Sequence, residues 1–280
     1  MSDENPHPHD RDRILSFLLA PVLTAFITQA LLTLLVFAGA GILSFVRSLP
    51  FEEAGRISES FFNSLGVPIA SLSLVLVMVS PAVRGVLRFN GGLHASFRGS
   101  GLHEDMRTTS TPKAWVKITV ISVFGAMAVW SGLTLAINLL AESGADASGN
   151  SATTQSVSES SSLPYGWVVI LFSLVFAPIA EELFFRSFLS RSLVSTSLLR
   201  RENGTRAWWS NLLISLICGL WFGLGHLNTA ETNLSRMIVT TVFMTLFGAL
   251  LTWVSTIRYK SVLPAIGLHI CYNAIVLLTM

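Results

Sequence analysis

An all-α, polytopic membrane helix bundle is predicted by three features of this 280-residue chain. Charged residues make up only 12% of it and apolar residues 51%, whereas a soluble domain carries about 25% charged residues. About seven apolar runs approach or exceed the roughly 20 residues that a helix needs to cross the hydrocarbon core. Basic residues crowd into alternate connections between those runs, as the positive-inside asymmetry requires. Helix is the conformation expected for each run, because an isolated strand in lipid leaves its backbone groups without partners.

The first apolar run, Ile14 to Val46, is longer than one crossing. Pro21 is expected to separate a short interfacial piece from a span over about Thr24 to Val46. The second span is read at Phe61 to Val83, the third at Val116 to Leu140, and the fourth from Tyr165 through at least Ala180. The fifth covers about Trp208 to Leu227, the sixth Met237 to Ile257, and the seventh Val262 to Met280. This divides the chain into a polar cytoplasmic tail (1–13), N-terminal transmembrane helices (14–140), a Ser-rich external loop (141–163) and a C-terminal helical bundle (164–280).

Arg84, Arg88, Arg98, Arg107 and Lys113 follow the second span, and Arg191, Arg200, Arg201 and Arg206 lie between the fourth and fifth. Arg258 and Lys260 follow the sixth, while the link from Glu142 to Leu163 has no Lys or Arg. The amino terminus is therefore expected in the cytoplasm and the carboxyl terminus outside. A net charge of +2 points to no nucleic-acid partner. Cys218 and Cys271 both fall in apolar runs and read as buried free thiols rather than a disulfide framework. The polar start, MSDENPHPHDRDR, and the long apolar run behind it do not read as a cleavable signal peptide.

Against this background a few ionisable residues lie in the wrong solvent. Glu181 and Glu182 sit within VVILFSLVFAPIAEELFFRSFL, while His226 and His269 sit within WFGLGHL and AIGLHICYNAIVLL. The other four histidines, His7, His9, His94 and His103, are in tails or loops. An ionisable side chain inside the bilayer costs a few kcal/mol or more, so such residues are rare and usually functional. Glu182 and Arg186 are four apart, in the order that favours an ion pair on one helix face. Glu181 points about 100° away around the helix and is left free by its neighbours. His269 and Asn273 are also four apart and share a face, where they supply either oxyanion donors or metal ligands. Phe222 lies one turn before His226, placed to pack beneath its ring. Gly219, Gly223 and Gly225 thin that helix, and the first two form a small-xxx-small packing pattern.

Glu181-Glu182-Leu-Phe-Phe-Arg186 matches EExxxR, Phe222-Gly-Leu-Gly-His226 matches FxxxH, and His269-Ile-Cys-Tyr-Asn273 matches HxxxN. In this order on successive helices, from about Tyr165 to the end, they resemble the CPBP family of CAAX prenyl proteases and bacteriocin-processing enzymes, also called Abi. The resemblance implies an α-helical intramembrane endopeptidase in the inner membrane of a prokaryote. Glu181 and His226 would activate a water, His269 and Asn273 would form the oxyanion hole, and Glu182, Arg186 and Phe222 would support the site. Its substrate would be a membrane-associated or lipidated protein or peptide, with the lipid bilayer as the other partner. No cofactor is expected, and HExxH is absent. Zinc held by Glu181, His226 and His269 is the alternative. Two other readings stay open: a silent scaffold or immunity protein with the same fold, and a proton-coupled carrier.

The expected orientation leaves a depth problem. It puts Glu181 in the inner half of helix four and His226 near the outer end of helix five, yet one water must reach both. Continuation of helix four to about Val194, and of helix five past His226 toward Glu231, would close the gap.

Overall fold

The computed structural model describes residues 8–79, 112–142, 166–194, 207–227, 234–259 and 261–278. Every described element is a helix. Five are long and apolar enough to cross a bilayer, six if one bent pair counts as a single span. A shorter apolar helix closes the chain. The protein is an integral membrane protein of the polytopic helical kind.

Helix α1 runs unbroken over Pro8–Arg47 with Pro21 inside it, which corrects the expected break. A proline removes one backbone donor, and packing on both sides of the gap is enough to hold the helix. Phe17 and Ala20 are buried just before it, and Phe17 meets Trp221 edge-on at 6.5 Å. At 40 residues α1 is roughly 60 Å long, about twice the hydrocarbon core.

The second expected span is broken. Helix α2 covers Phe51–Ser64 and α3 covers Gly66–Val79, with a 66° bend between them. Gly66 and Pro68 open α3, and Pro68 has no N–H to offer the carbonyl four residues back, so the helical ladder cannot pass smoothly through Leu65. The last residues assigned to that span, 80–83, lie outside the described residues, as does nearly all of the Ser-rich loop.

Helix α4 spans Pro112–Glu142. Helix α5 (166–194) is composite. It begins as Gly166–Leu171, widens into a π-helical turn at Phe172–Phe176, tightens at Ala177–Glu182, widens again at Leu183–Ser190 and ends as Arg191–Val194. Helix α6 is Trp208–Gly225. Helix α7 is Leu234–Thr252, continued by a π-helical end, Trp253–Tyr259. Helix α8 is Leu263–Leu278, 16 residues and so shorter than a full crossing. The continuation of α5 to Val194 is present. That of α6 is not: its last helical residue is Gly225, and His226 caps it at φ −100°, ψ 8°.

Two close helix contacts set the core. Helices α6 and α7 touch through Gly219 and Gly223, as the packing reading of those glycines expects. A Cβ on Gly219 would meet the Thr245 carbonyl oxygen, and at 2.6 Å the Ala249 nitrogen. One on Gly223 would meet the Thr241 carbonyl at 2.8 Å. Helix α4 keys into α8, where Gly125 leaves room for Leu268, the residue before His269. Phe184, Ile214, Phe222, Leu251 and Leu268 lie in the core these helices enclose. Cys218 is buried and Cys271 half-buried, both as free thiols.

Gly219→Ala is expected to destabilise the protein by about 1–3 kcal/mol, because backbone rather than a movable side chain occupies the space. Gly41→Ala, facing open space, is expected to leave stability unchanged or slightly raised. Thermal unfolding in detergent measures both, and equal effects would contradict the tight α6–α7 seam.

Candidate active site

Glu181 and Glu182 close the one α-helical turn of α5 that lies between its two π-helical stretches. Their neighbours separate them. Glu182 Oε2 lies 3.0 Å from Arg186 Nε, and these side chains are 0% and 1% exposed. Removing one member of so deep a pair would strand the other charge, whereas together they are tolerated. The guanidinium also lies over aromatic faces, 4.8 Å from the Phe222 ring centre and 5.6 Å from that of Phe185.

The second oxygen of Glu182 has a partner that local spacing does not reveal. Oε1 lies 3.0 Å from His269 Nδ1. A carboxylate paired with a guanidinium only accepts, so Nδ1 carries the proton of this bond. The opposite ring atom, His269 Nε2, then faces Glu181, 3.9 Å from its Oε2. Phe222 and Phe247 hold the His269 ring from two sides, each edge-on at 5.7 Å.

His226 comes to the same point from the end of α6. Its Nδ1 is 2.8 Å from the Phe222 carbonyl oxygen. A carbonyl only accepts, so Nδ1 again holds the proton and Nε2 is the free face of the ring. The Phe222 ring packs beneath it at 4.3 Å and 35°. His226 Nε2 is 3.7 Å from Glu181 Oε2. Glu181 Oε2 is thus flanked by two imidazole nitrogens, both beyond hydrogen-bond length and at a spacing that suits one bridging oxygen. The atom is buried and accepts no hydrogen bond within the described protein. The Glu181 and His226 side chains as a whole remain 20% and 25% exposed, whereas the Glu182–Arg186 pair is sealed.

Asn273 lies one turn beyond His269 on α8 and also faces α5. Its amide does not join the Glu181 cluster. Nδ2 donates to the Ser173 backbone carbonyl at 2.8 Å. The structure therefore brings Glu181, His226 and His269 together, surrounds them with Glu182, Arg186 and Phe222, and ties Asn273 to the first π-helical turn of α5. Ser173 and Phe247 carry no motif that would single them out. Gly248 has a role too, since a Cβ there would meet the Phe222 Cβ at 2.7 Å.

Both Nε2 atoms and Glu181 Oε2 have the chemistry of the zinc alternative. Zinc, however, gathers such atoms at about 2.0–2.2 Å in a tetrahedron. Among the described residues no group of three or more His, Cys, Asp or Glu side chains is arranged to hold a metal ion.

Residues 163–275 match the family model for type II CAAX prenyl endopeptidase Rce1-like proteins. The match agrees with the motif resemblance over the same part of the chain. The match supports a membrane protease of the CAAX type. Neither the curated proteins nor the solved structures compared contain a match to the chain.

The depth problem yields a direct check. With Cys218 and Cys271 replaced by alanine, Glu181→Cys and His226→Cys are expected to react with a membrane-impermeant thiol reagent from the same side. Labelling from opposite sides would contradict the 3.7 Å approach.

Proposed function

We propose that the protein is an intramembrane endopeptidase in which Glu181 and His226 activate a water to cleave a peptide bond of a membrane-associated or lipidated substrate. The observation that carries this reading is the placement of His226 Nε2 and His269 Nε2 at 3.7 and 3.9 Å from one buried Glu181 oxygen. A water between them can give its proton to Glu181 while His226 Nε2 orients it. Its oxygen attacks the scissile carbonyl carbon, and the proton passes to the departing amide nitrogen as the C–N bond breaks. The developing oxyanion needs donors. An Asn amide has two hydrogens, and the one not given to Ser173 is available. His269 can donate from Nε2 only with both ring nitrogens protonated, a charge that the Glu182 carboxylate at 3.0 Å would balance.

In this reading the centre uses no metal, and the chain lies in a prokaryotic inner membrane with its amino terminus in the cytoplasm. The His tautomers also suit nitrogen ligands of a zinc ion, so metal dependence is part of the test. Purified protein in detergent would be assayed on a prenylated peptide and on its unlipidated counterpart. Glu181→Ala and His226→Ala are each expected to lower kcat by about 10²–10⁴-fold with the unfolding temperature retained. A chelator is expected to leave wild-type activity unchanged. Cleavage that survives both substitutions would end the peptidase assignment to this centre. Chelator-sensitive activity restored by zinc would replace the metal-free route.

A further inference from the structure

The contact between Asn273 and Ser173 has a cause in the backbone of α5. Phe172–Phe176 is π-helical, and Ala177 N–H bonds the Phe172 carbonyl five residues back. One step along the same ladder, the Ser173 carbonyl should receive the N–H of residue 178. Residue 178 is proline, at the start of the Ala177–Glu182 turn, and has no N–H. Ser173 and Pro178 are both buried, so the carbonyl lies where no bulk solvent can serve it. A backbone acceptor in that position needs a side-chain donor, and Asn273 Nδ2 is that donor at 2.8 Å.

We infer that Pro178 is a positioning residue for the peptidase reaction. By withholding a backbone donor in a π-helical turn, it leaves the Ser173 carbonyl to capture one hydrogen of the Asn273 amide, which fixes the plane of that amide and the direction of its second hydrogen. This rests on the proposed function, in which that second hydrogen meets the oxyanion. The same bond ties α8 to α5 one turn from the His269–Glu182 contact, so helix α8 is pinned at two successive points of the face that carries His269 and Asn273. Pro178 touches neither the water nor the substrate, and it acts only through the Asn273 amide.

A double-mutant cycle separates this role from simple support of the helix. In Pro178→Ala the new N–H at 178 competes for the Ser173 carbonyl and frees the amide. The expected result is a roughly tenfold or greater fall in kcat with KM within about threefold, the pattern of a lost transition-state interaction. In an Asn273→Ala background the same substitution is expected to change kcat less than about twofold, because the group it acts through is gone. An equal fall in both backgrounds would overturn the inference and assign Pro178 a structural role only. Should Pro178→Ala fail to fold, wild-type protein decides by side-chain amide NMR of Asn273, assigned by its loss in Asn273→Ala. One of its two amide protons is expected to be protected from exchange and the other not, and two equally fast protons would refute the capture. The wild-type comparison with Glu181→Ala, read alongside, tells failure of the peptidase reading from failure of this one, since the NMR result does not depend on turnover.

Discussion

Two adjacent carboxylates on one helix, inside an apolar bundle, impose the constraint from which the rest of the site follows. Neither can be left charged and alone without a cost of several kcal/mol, and the proposed reaction needs one of them free to take a proton. The helix divides the labour by rotation. Glu182 turns to Arg186 and His269, 3.0 Å from each, in a fully buried position. Glu181, about 100° around, turns to the partly exposed side, where two imidazole nitrogens approach it. Arg186 extends the arrangement by lying over Phe222, whose ring supports His226 and whose carbonyl sets its tautomer. One ion pair thus touches, directly or through one aromatic ring, every imidazole around Glu181.

The helices are shaped to let this happen. Helix α5 is wider than an α-helix on either side of the Ala177–Glu182 turn, and π-helical insertions of this kind recur at functional sites because they re-aim the side chains around them. Helix α6 ends at Gly225, which frees His226 from helical geometry. That ending, more than the helix extension expected past His226, lets the imidazole lie against α5. The glycine seam with α7 keeps the end of α6 in place, and the α4–α8 contact does the same for the segment carrying His269.

Much of this was legible in the sequence where the governing interaction is local. Apolar runs marked nearly every membrane helix, because spanning requires length and hydrophobicity together. The Glu182–Arg186 pair and the stacking of Phe222 on His226 follow from a spacing of four on a helix. The family match over residues 163–275 agrees with the three motifs. What could not be read depends on distant packing. The continuity of α1 through Pro21 rests on buried neighbours rather than on helix propensity. The break at Leu65 turned on Gly66 and Pro68 inside an otherwise apolar run. The Glu182–His269 contact joins residues 87 apart and the Asn273–Ser173 contact residues 100 apart, and no local period encodes either. Pro178 illustrates the limit best: its missing N–H was visible, but its consequence needed the π-helical register.

An experimental structure of the wild-type protein, at a resolution that shows ordered water, tests the central claim most directly. The account predicts a water within about 3.2 Å of both Glu181 Oε2 and His226 Nε2, with His269 Nδ1 still on Glu182. A metal ion at that point bound by Glu181, His226 and His269, or Glu181 rather than Glu182 paired with Arg186, would contradict it.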